Sequence, residues 1–125
     1  MRRIFLALVL LLFVIAPVSG APTQNVTLNW TMPTTCSDGS AIGSPNCPAL
    51  TNIKVYCGSA TGIYGSPITL GAVTTYTWAV SSTQTIYCAV TAVNAGGESV
   101  KSNEAVKTVV ISIAPSGPSG CTFAP

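Results

Sequence analysis

Apolar and polar residues alternate along four stretches of this chain, at residues 26–32, 53–57, 76–80 and 86–92. Because successive side chains of a β-strand point to opposite faces of a sheet, a period of two predicts strands with one buried face. Gly, Pro, Ser and Asn separate the stretches, and no apolar stripe of helical period follows the first twenty residues. The pattern therefore predicts an all-β fold of short strands.

The first twenty residues have the layout of a secretory signal peptide. Arg2 and Arg3 form a basic start, residues 4–16 are uniformly apolar, and small residues precede a cleavage point after Gly20. The apolar run is shorter than the roughly 20 residues that span a bilayer, although an uncleaved anchor is an alternative. We expect a secreted, periplasmic or cell-surface protein with no stable membrane span after cleavage.

Cleavage would leave one domain with a formal net charge of zero. We predict a β-sandwich over residues 21–113 and a tail rich in Pro, Gly and Ser over residues 114–125. Without the two leader arginines, three lysines balance three acidic residues, so nucleic-acid binding has no electrostatic basis. The six charged residues after position 20 are Asp38, Lys54, Glu98, Lys101, Glu104 and Lys107.

Several segments resemble the fibronectin type III family, in the form found in exported bacterial and phage proteins. Residues 26–33 (VTLNWTMP) look like its second strand, 53–58 (IKVYCG) like its third and 74–78 (TTYTW) like its fifth. Residues 87–104 look like its sixth strand, the loop that follows and the start of the seventh. The resemblance covers about residues 26–107 and implies an immunoglobulin-like antiparallel β-sandwich. It also implies a non-enzymatic role in adhesion, or in protein or carbohydrate binding at a cell or particle surface.

The chain departs from the family pattern at three places, one of which is that cysteines occupy positions that are usually apolar or variable. Only residues 21–25 are left for a first strand, so we expect that strand to be short or missing. Ile86 occupies the place of the family's corner tyrosine, and Tyr87 follows it. The phase of Trp30 and Trp78 points both rings inward, so both are expected in the core.

The five cysteines suggest two disulfides and one remaining thiol. Cys36 and Cys47 flank a polar loop and are a natural pair in an oxidising compartment. Cys57 and Cys88 lie on neighbouring predicted strands, where they form a bridge if directly opposite and remain buried thiols if the register is offset. Cys121 is left for an intermolecular link or as a free thiol.

The residues offer little for catalysis or metal binding. The chain has no histidine and no Cys-x-x-Cys pair, which disfavours a zinc site and the commonest general base. Glu98 and Glu104 are interpreted as solvated surface carboxylates, and Lys54 as an outward strand residue. We therefore predict no enzyme and no cofactor, with a small hydrolase as a distant alternative.

Two tyrosines and one strand are the candidates for binding. Tyr56 and Tyr87 have the outward phase, and they form either a ligand-binding aromatic patch or a cross-strand pair that stabilises the sheet. Residues 109–113 are rich in β-formers and longer than a seventh strand needs. They either extend their own strand or pair with a neighbouring molecule, which would make the protein a self-associating structural subunit.

Overall fold

The computed structural model describes residues 21–125, so the predicted signal peptide lies outside the described residues. The described chain is all-β, as predicted, and no helix in it is long and apolar enough to cross a membrane. Its seven strands are β1 (Gln24–Asn29), β2 (Leu50–Gly58), β3 (Ile68–Leu70), β4 (Thr75–Val80), β5 (Gln84–Asn94), β6 (Gly97–Glu98) and β7 (Ala105–Val109).

The strands form two antiparallel sheets, which confirms the predicted β-sandwich. The smaller sheet is the pair β1–β4. The larger sheet runs β3–β2–β5, and the outer edge of β5 is shared by β6 at one end and β7 at the other. Residues 21–23 form no strand, so among the described residues nothing pairs with the outer edge of β1.

The core lies between the two sheets. Val26 and Val80 enter it from the smaller sheet, and Ile86, Cys88 and Val109 enter from the larger one. Each of these residues is on the inward phase of its strand, and burying such a side chain contributes roughly 1.5–3 kcal/mol. The partly buried residues that pack against this cluster are Leu28, Cys57, Trp78 and Ile111.

The two tryptophans differ in their surroundings, and one of them departs from the sequence prediction. Trp78 packs against the core cluster, as expected. Trp30 is only half-buried, and its indole N–H donates a hydrogen bond to the Val73 carbonyl at 2.8 Å. Trp30 directly follows the last residue of β1, and its backbone N–H still donates to the Thr74 carbonyl at 3.0 Å, so the ring lies at the end of the β1–β4 pair.

Both predicted disulfides are present. Cys36 and Cys47 close the polar loop, and Cys57 and Cys88 are directly paired across β2 and β5 with their Cα atoms 4.2 Å apart. Cys121 is a free, exposed thiol. Two disulfides indicate an oxidising, extracytoplasmic environment.

The chain between β6 and β7 stays attached to the edge of β5 through two serines. The Ser99 and Ser102 backbone N–H groups donate to the Ala92 and Val90 carbonyls, both at 2.8 Å. The two serine hydroxyls accept hydrogen bonds from the backbone N–H groups of the same two β5 residues. This segment therefore holds Lys101 beside the outward face of the larger sheet.

The C-terminal segment begins as part of the protein's own sheet. Val109 is fully buried and lies opposite Gln84 on β5. The Ile111 backbone N–H donates to the Thr83 hydroxyl at 3.0 Å. Residues 112–125 form no strand and are exposed. Val109 and Ile111 therefore contact their own molecule, and donation of residues 109–113 to a neighbouring molecule stays a prediction.

Candidate binding surface

The outward face of the larger sheet carries a cluster of aromatic and charged side chains. We call it the tyrosine face and define it as Tyr56, Tyr64, Glu98, Lys101 and Glu104. Tyr56 points outward because it lies between two inward neighbours on β2, and Tyr64 reaches the same face from the loop between β2 and β3. The other three residues come from β6 and the segment that leads to β7.

Glu98 accepts several hydrogen bonds on this face. The Tyr56 hydroxyl and the Thr91 hydroxyl both donate to its Oε1, the second at 2.6 Å. Lys54 Nζ lies 3.6 Å from its Oε2. The hydrogen bond from Thr91, followed by that from Tyr56, lowers the pKa of Glu98 below its ordinary value, because both stabilise the carboxylate. The same hydrogen bond to Glu98 raises the pKa of Tyr56.

Glu104 forms a second and similar arrangement. The Tyr64 hydroxyl and the Gly62 backbone N–H both donate to its Oε2, the latter at 2.9 Å. The bond from Tyr64 is the main cause that lowers the pKa of Glu104, and it raises the pKa of Tyr64 in return. Each tyrosine of the face is thus held by its own carboxylate.

The two tyrosines contact each other, and a lysine covers one of them. The ring centroids of Tyr56 and Tyr64 are 6.4 Å apart, and the ring planes are inclined by 57°. Lys101 Nζ lies 4.5 Å from the centroid of the Tyr56 ring, a cation–π contact. The result is a surface with inclined aromatic rings, on which cationic, aromatic and anionic groups lie next to one another.

The predicted pair Tyr56 and Tyr87 is not directly opposed. Tyr56 lies opposite Ala89, and Tyr87 lies opposite Gly58. The two tyrosines share the outward phase and are diagonal neighbours across β2 and β5. The aromatic neighbour that the structure assigns to Tyr56 is Tyr64.

Sequence reasoning missed part of this face. It did not single out Tyr64, because a loop residue carries no periodic signal. It also interpreted Glu98 and Glu104 as solvated carboxylates, whereas both accept hydrogen bonds from tyrosine hydroxyls. The acids lie about 40 residues from their tyrosines, and strand pairing together with the loops that fold over the sheet brings them together.

A second surface feature is the groove beside β1, between the edges of the two sheets. A cavity of about 370 Å³ separates the end of β1 from β5 and the start of β7. An adjoining cavity of about 190 Å³ reaches along β1 towards β7. We call the two together the β1 groove. Its apolar lining includes Val26, Leu28, Trp78, Ile86 and Cys88.

The described residues contain no cluster of three or more potential metal ligands. No protein-family model, curated protein or solved structure matches this chain. The two surfaces are therefore interpreted from their own geometry.

Proposed function

We propose that this protein is an exported, non-enzymatic β-sandwich of the fibronectin type III type that binds another protein through its tyrosine face. The observation that carries the proposal is the fixation of Tyr56 and Tyr64 by Glu98 and Glu104, with Lys101 over the first ring. Side chains held in place before contact lose less conformational entropy on binding. Tyrosine is also among the residues that contribute most to protein interfaces.

The shape and charge of the face favour a protein ligand over a carbohydrate. The tyrosine rings are inclined by 57° and do not form a flat platform on which successive sugar rings could stack. Three of the six charged residues of the described chain belong to the tyrosine face, and Lys54 contacts one of them, so a partner with complementary charges would be oriented by two groups of each sign. These four are Lys54, Glu98, Lys101 and Glu104.

The order and pairing of the strands support the fibronectin type III resemblance. The third and sixth strands of the resemblance correspond to β2 and β5, which are neighbours in the larger sheet. The signal-peptide pattern and the two disulfides both favour passage into an oxidising compartment.

The proposal is tested by binding of oxidised residues 21–125 to immobilised extracellular proteins, with immobilised polysaccharides in parallel. We expect binding to at least one protein of the panel, weakened about tenfold by Lys101→Ala. Lys107→Ala is the matched control, because Lys107 lies on β7 and outside the tyrosine face. Binding to polysaccharides alone, or equal loss in both variants, would contradict the proposal.

A structural subunit is the second candidate function, and the free exposed thiol of Cys121 favours it. The thiol lies in a strandless, exposed tail, where it is accessible to the same residue of another molecule. The intact mass of the exported protein before reduction tests this. A mass of two chains that falls to one on reduction supports a Cys121-linked subunit, and a mass of one chain with an alkylated Cys121 contradicts it.

A further inference from the structure

The outer edge of β1 presents unpaired backbone groups at alternate residues. The Trp30 backbone N–H donates to the Thr74 carbonyl at 3.0 Å, which marks these residues as a hydrogen-bonded pair of the antiparallel ladder. Pairs of this kind recur every two residues, so Val26 and Leu28 direct their backbone groups towards β4. The N–H and C=O groups of Asn25, Thr27 and Asn29 therefore point to the open edge.

This edge lacks the features that usually prevent edge-to-edge pairing. Natural edge strands are commonly protected by charged side chains, proline or bulges. The six residues of β1 include no charge and no proline, and their pairing with β4 is regular from Gln24 to Asn29. By contrast, the edge strand β7 of the larger sheet carries Lys107 at its centre.

We propose that the outer edge of β1 pairs antiparallel with β1 of a second copy of this protein, in a register centred on Thr27. In this register Thr27 lies opposite Thr27 of the second copy, and Asn25 lies opposite Asn29 in both directions. All three residues direct their backbone groups outward, so each opposed pair exchanges two hydrogen bonds. The two smaller sheets become one four-stranded sheet.

The same register also matches the side chains of the two strands. We therefore take the partner of the β1 edge to be a second copy of this protein. Val26 falls opposite Leu28 of the second copy, so the apolar residues of both strands stay on the core side. The two β1 grooves then meet across the joint. The exposed positions Asn25, Thr27 and Asn29 stay on the polar outer face. β1 itself carries no charged residue, so no like charges lie opposite each other between the two paired strands. The arrangement is twofold, which is the commonest symmetry of protein dimers.

Sedimentation of oxidised residues 21–125 over a concentration series tests the proposal in a Cys121→Ser background, which removes any tail disulfide. We expect a reversible monomer–dimer equilibrium. Thr27→Pro removes the N–H donors of the central pair and should raise the dimer Kd about tenfold or more. Thr77→Pro is the matched control: it loses the same Thr27–Thr77 side-chain hydrogen bond of 2.8 Å, but on the other edge of the sheet.

Opposite charges at position 27 provide a test that does not depend on a proline. Thr27→Lys and Thr27→Glu should each weaken the dimer, because like charges would lie directly opposite each other. Mixing the two variants should restore association as a heterodimer. The proposal is overturned if the parent protein stays monomeric up to about 1 mM, if the mixture does not associate, or if Thr77→Pro weakens the dimer equally. A monomer whose β1 edge instead binds an unrelated extended peptide also overturns it.

Discussion

Cys57 and Cys88 lie directly opposite each other on the two longest strands of the larger sheet, and a disulfide joins them. The Cys57 carbonyl accepts a hydrogen bond from the Gly65 N–H at 2.9 Å, on the side away from β5. The two cysteines are therefore a non-hydrogen-bonded pair of the ladder, the kind in which side chains come closest. The disulfide links β2 and β5 at the margin of the core.

Removal of this disulfide should destabilise the protein more than removal of the loop disulfide. The bridges span 31 and 11 residues, and the chain-entropy relation gives about 3.7 and about 2.8 kcal/mol respectively. Each bridge contains one buried cysteine, Cys88 in the first and Cys47 in the second, so the predicted difference rests on loop length. Urea unfolding of Cys57→Ala/Cys88→Ala and Cys36→Ala/Cys47→Ala measures which double variant loses more free energy of unfolding. A larger loss in the second variant would contradict this account.

The free energy of unfolding should fall in acid because of Glu98 and Glu104. Both have a folded-state pKa below the ordinary value of 4.5, so their stabilising contribution is present above that pH and is lost as the pH falls through the folded-state pKa. Glu98→Gln/Glu104→Gln should therefore flatten the dependence of urea stability on pH below about 4.5. Lys107→Gln, which alters a charge outside this face and leaves every carboxyl in place, is the control. An unchanged acid slope in the variant with both glutamates replaced would refute the assignment.

Neighbouring valines at the end of β7 should differ sharply in their contribution to stability. Val109 is fully buried, whereas Val110 is 64% exposed. Val109→Ala should lower the free energy of unfolding by roughly 2 kcal/mol, because it leaves a cavity in the core. Val110→Ala should change it by less than about 0.5 kcal/mol. If Val109→Ala instead altered only self-association, residues 109–113 would be a donated strand.

A methyl group at Gly58 should not be tolerated. A Cβ at this position would lie 1.9 Å from the Ile63 carbonyl oxygen, which belongs to the backbone of the β2–β3 loop and cannot rotate away. We expect Gly58→Ala to cost about 1–3 kcal/mol and to displace the loop that carries Tyr64. Gly71→Ala is the control, since open space surrounds that position. Thermal unfolding of both variants distinguishes the two sites, and equal melting temperatures would contradict the contact.

Sequence alternation predicted the long strands correctly but not the short ones. The predicted stretches at 53–57 and 86–92 lie inside β2 and β5, because a half-buried strand imposes its period on its own residues. The strands β3 and β6 have three and two residues, too few for a period to be visible. β1 ends at Asn29, three residues before its predicted end. The alternation continues to Met32, although only the Trp30 N–H, which donates to Thr74, extends the pairing beyond Asn29–Thr75.

The sequence predicted the orientation of Tyr56 on the tyrosine face but not the contacts that this residue makes there. The outward phase of Tyr56 follows from its position on the strand, and the sequence predicted it. Its contacts with Glu98, Tyr64 and Lys101 depend on how the β2–β3 loop and the segment after β6 fold over the sheet. Those segments have no repeating pattern, so nothing local in the sequence indicates where they lie.

The sequence by itself determined the all-β class, the strands with a clear alternation, and the inventory of cysteines and charges. These properties are local or compositional, so they can be read without knowing which residues meet. The tertiary structure alone decided the register that bridges Cys57 to Cys88, the pairing of each tyrosine with its carboxylate, and the open edge of β1. The disulfide depends on the register of β2 and β5, which a shift of one residue would change. The tyrosine contacts also depend on the loops that fold over the sheet, and the open edge depends on which strands pair.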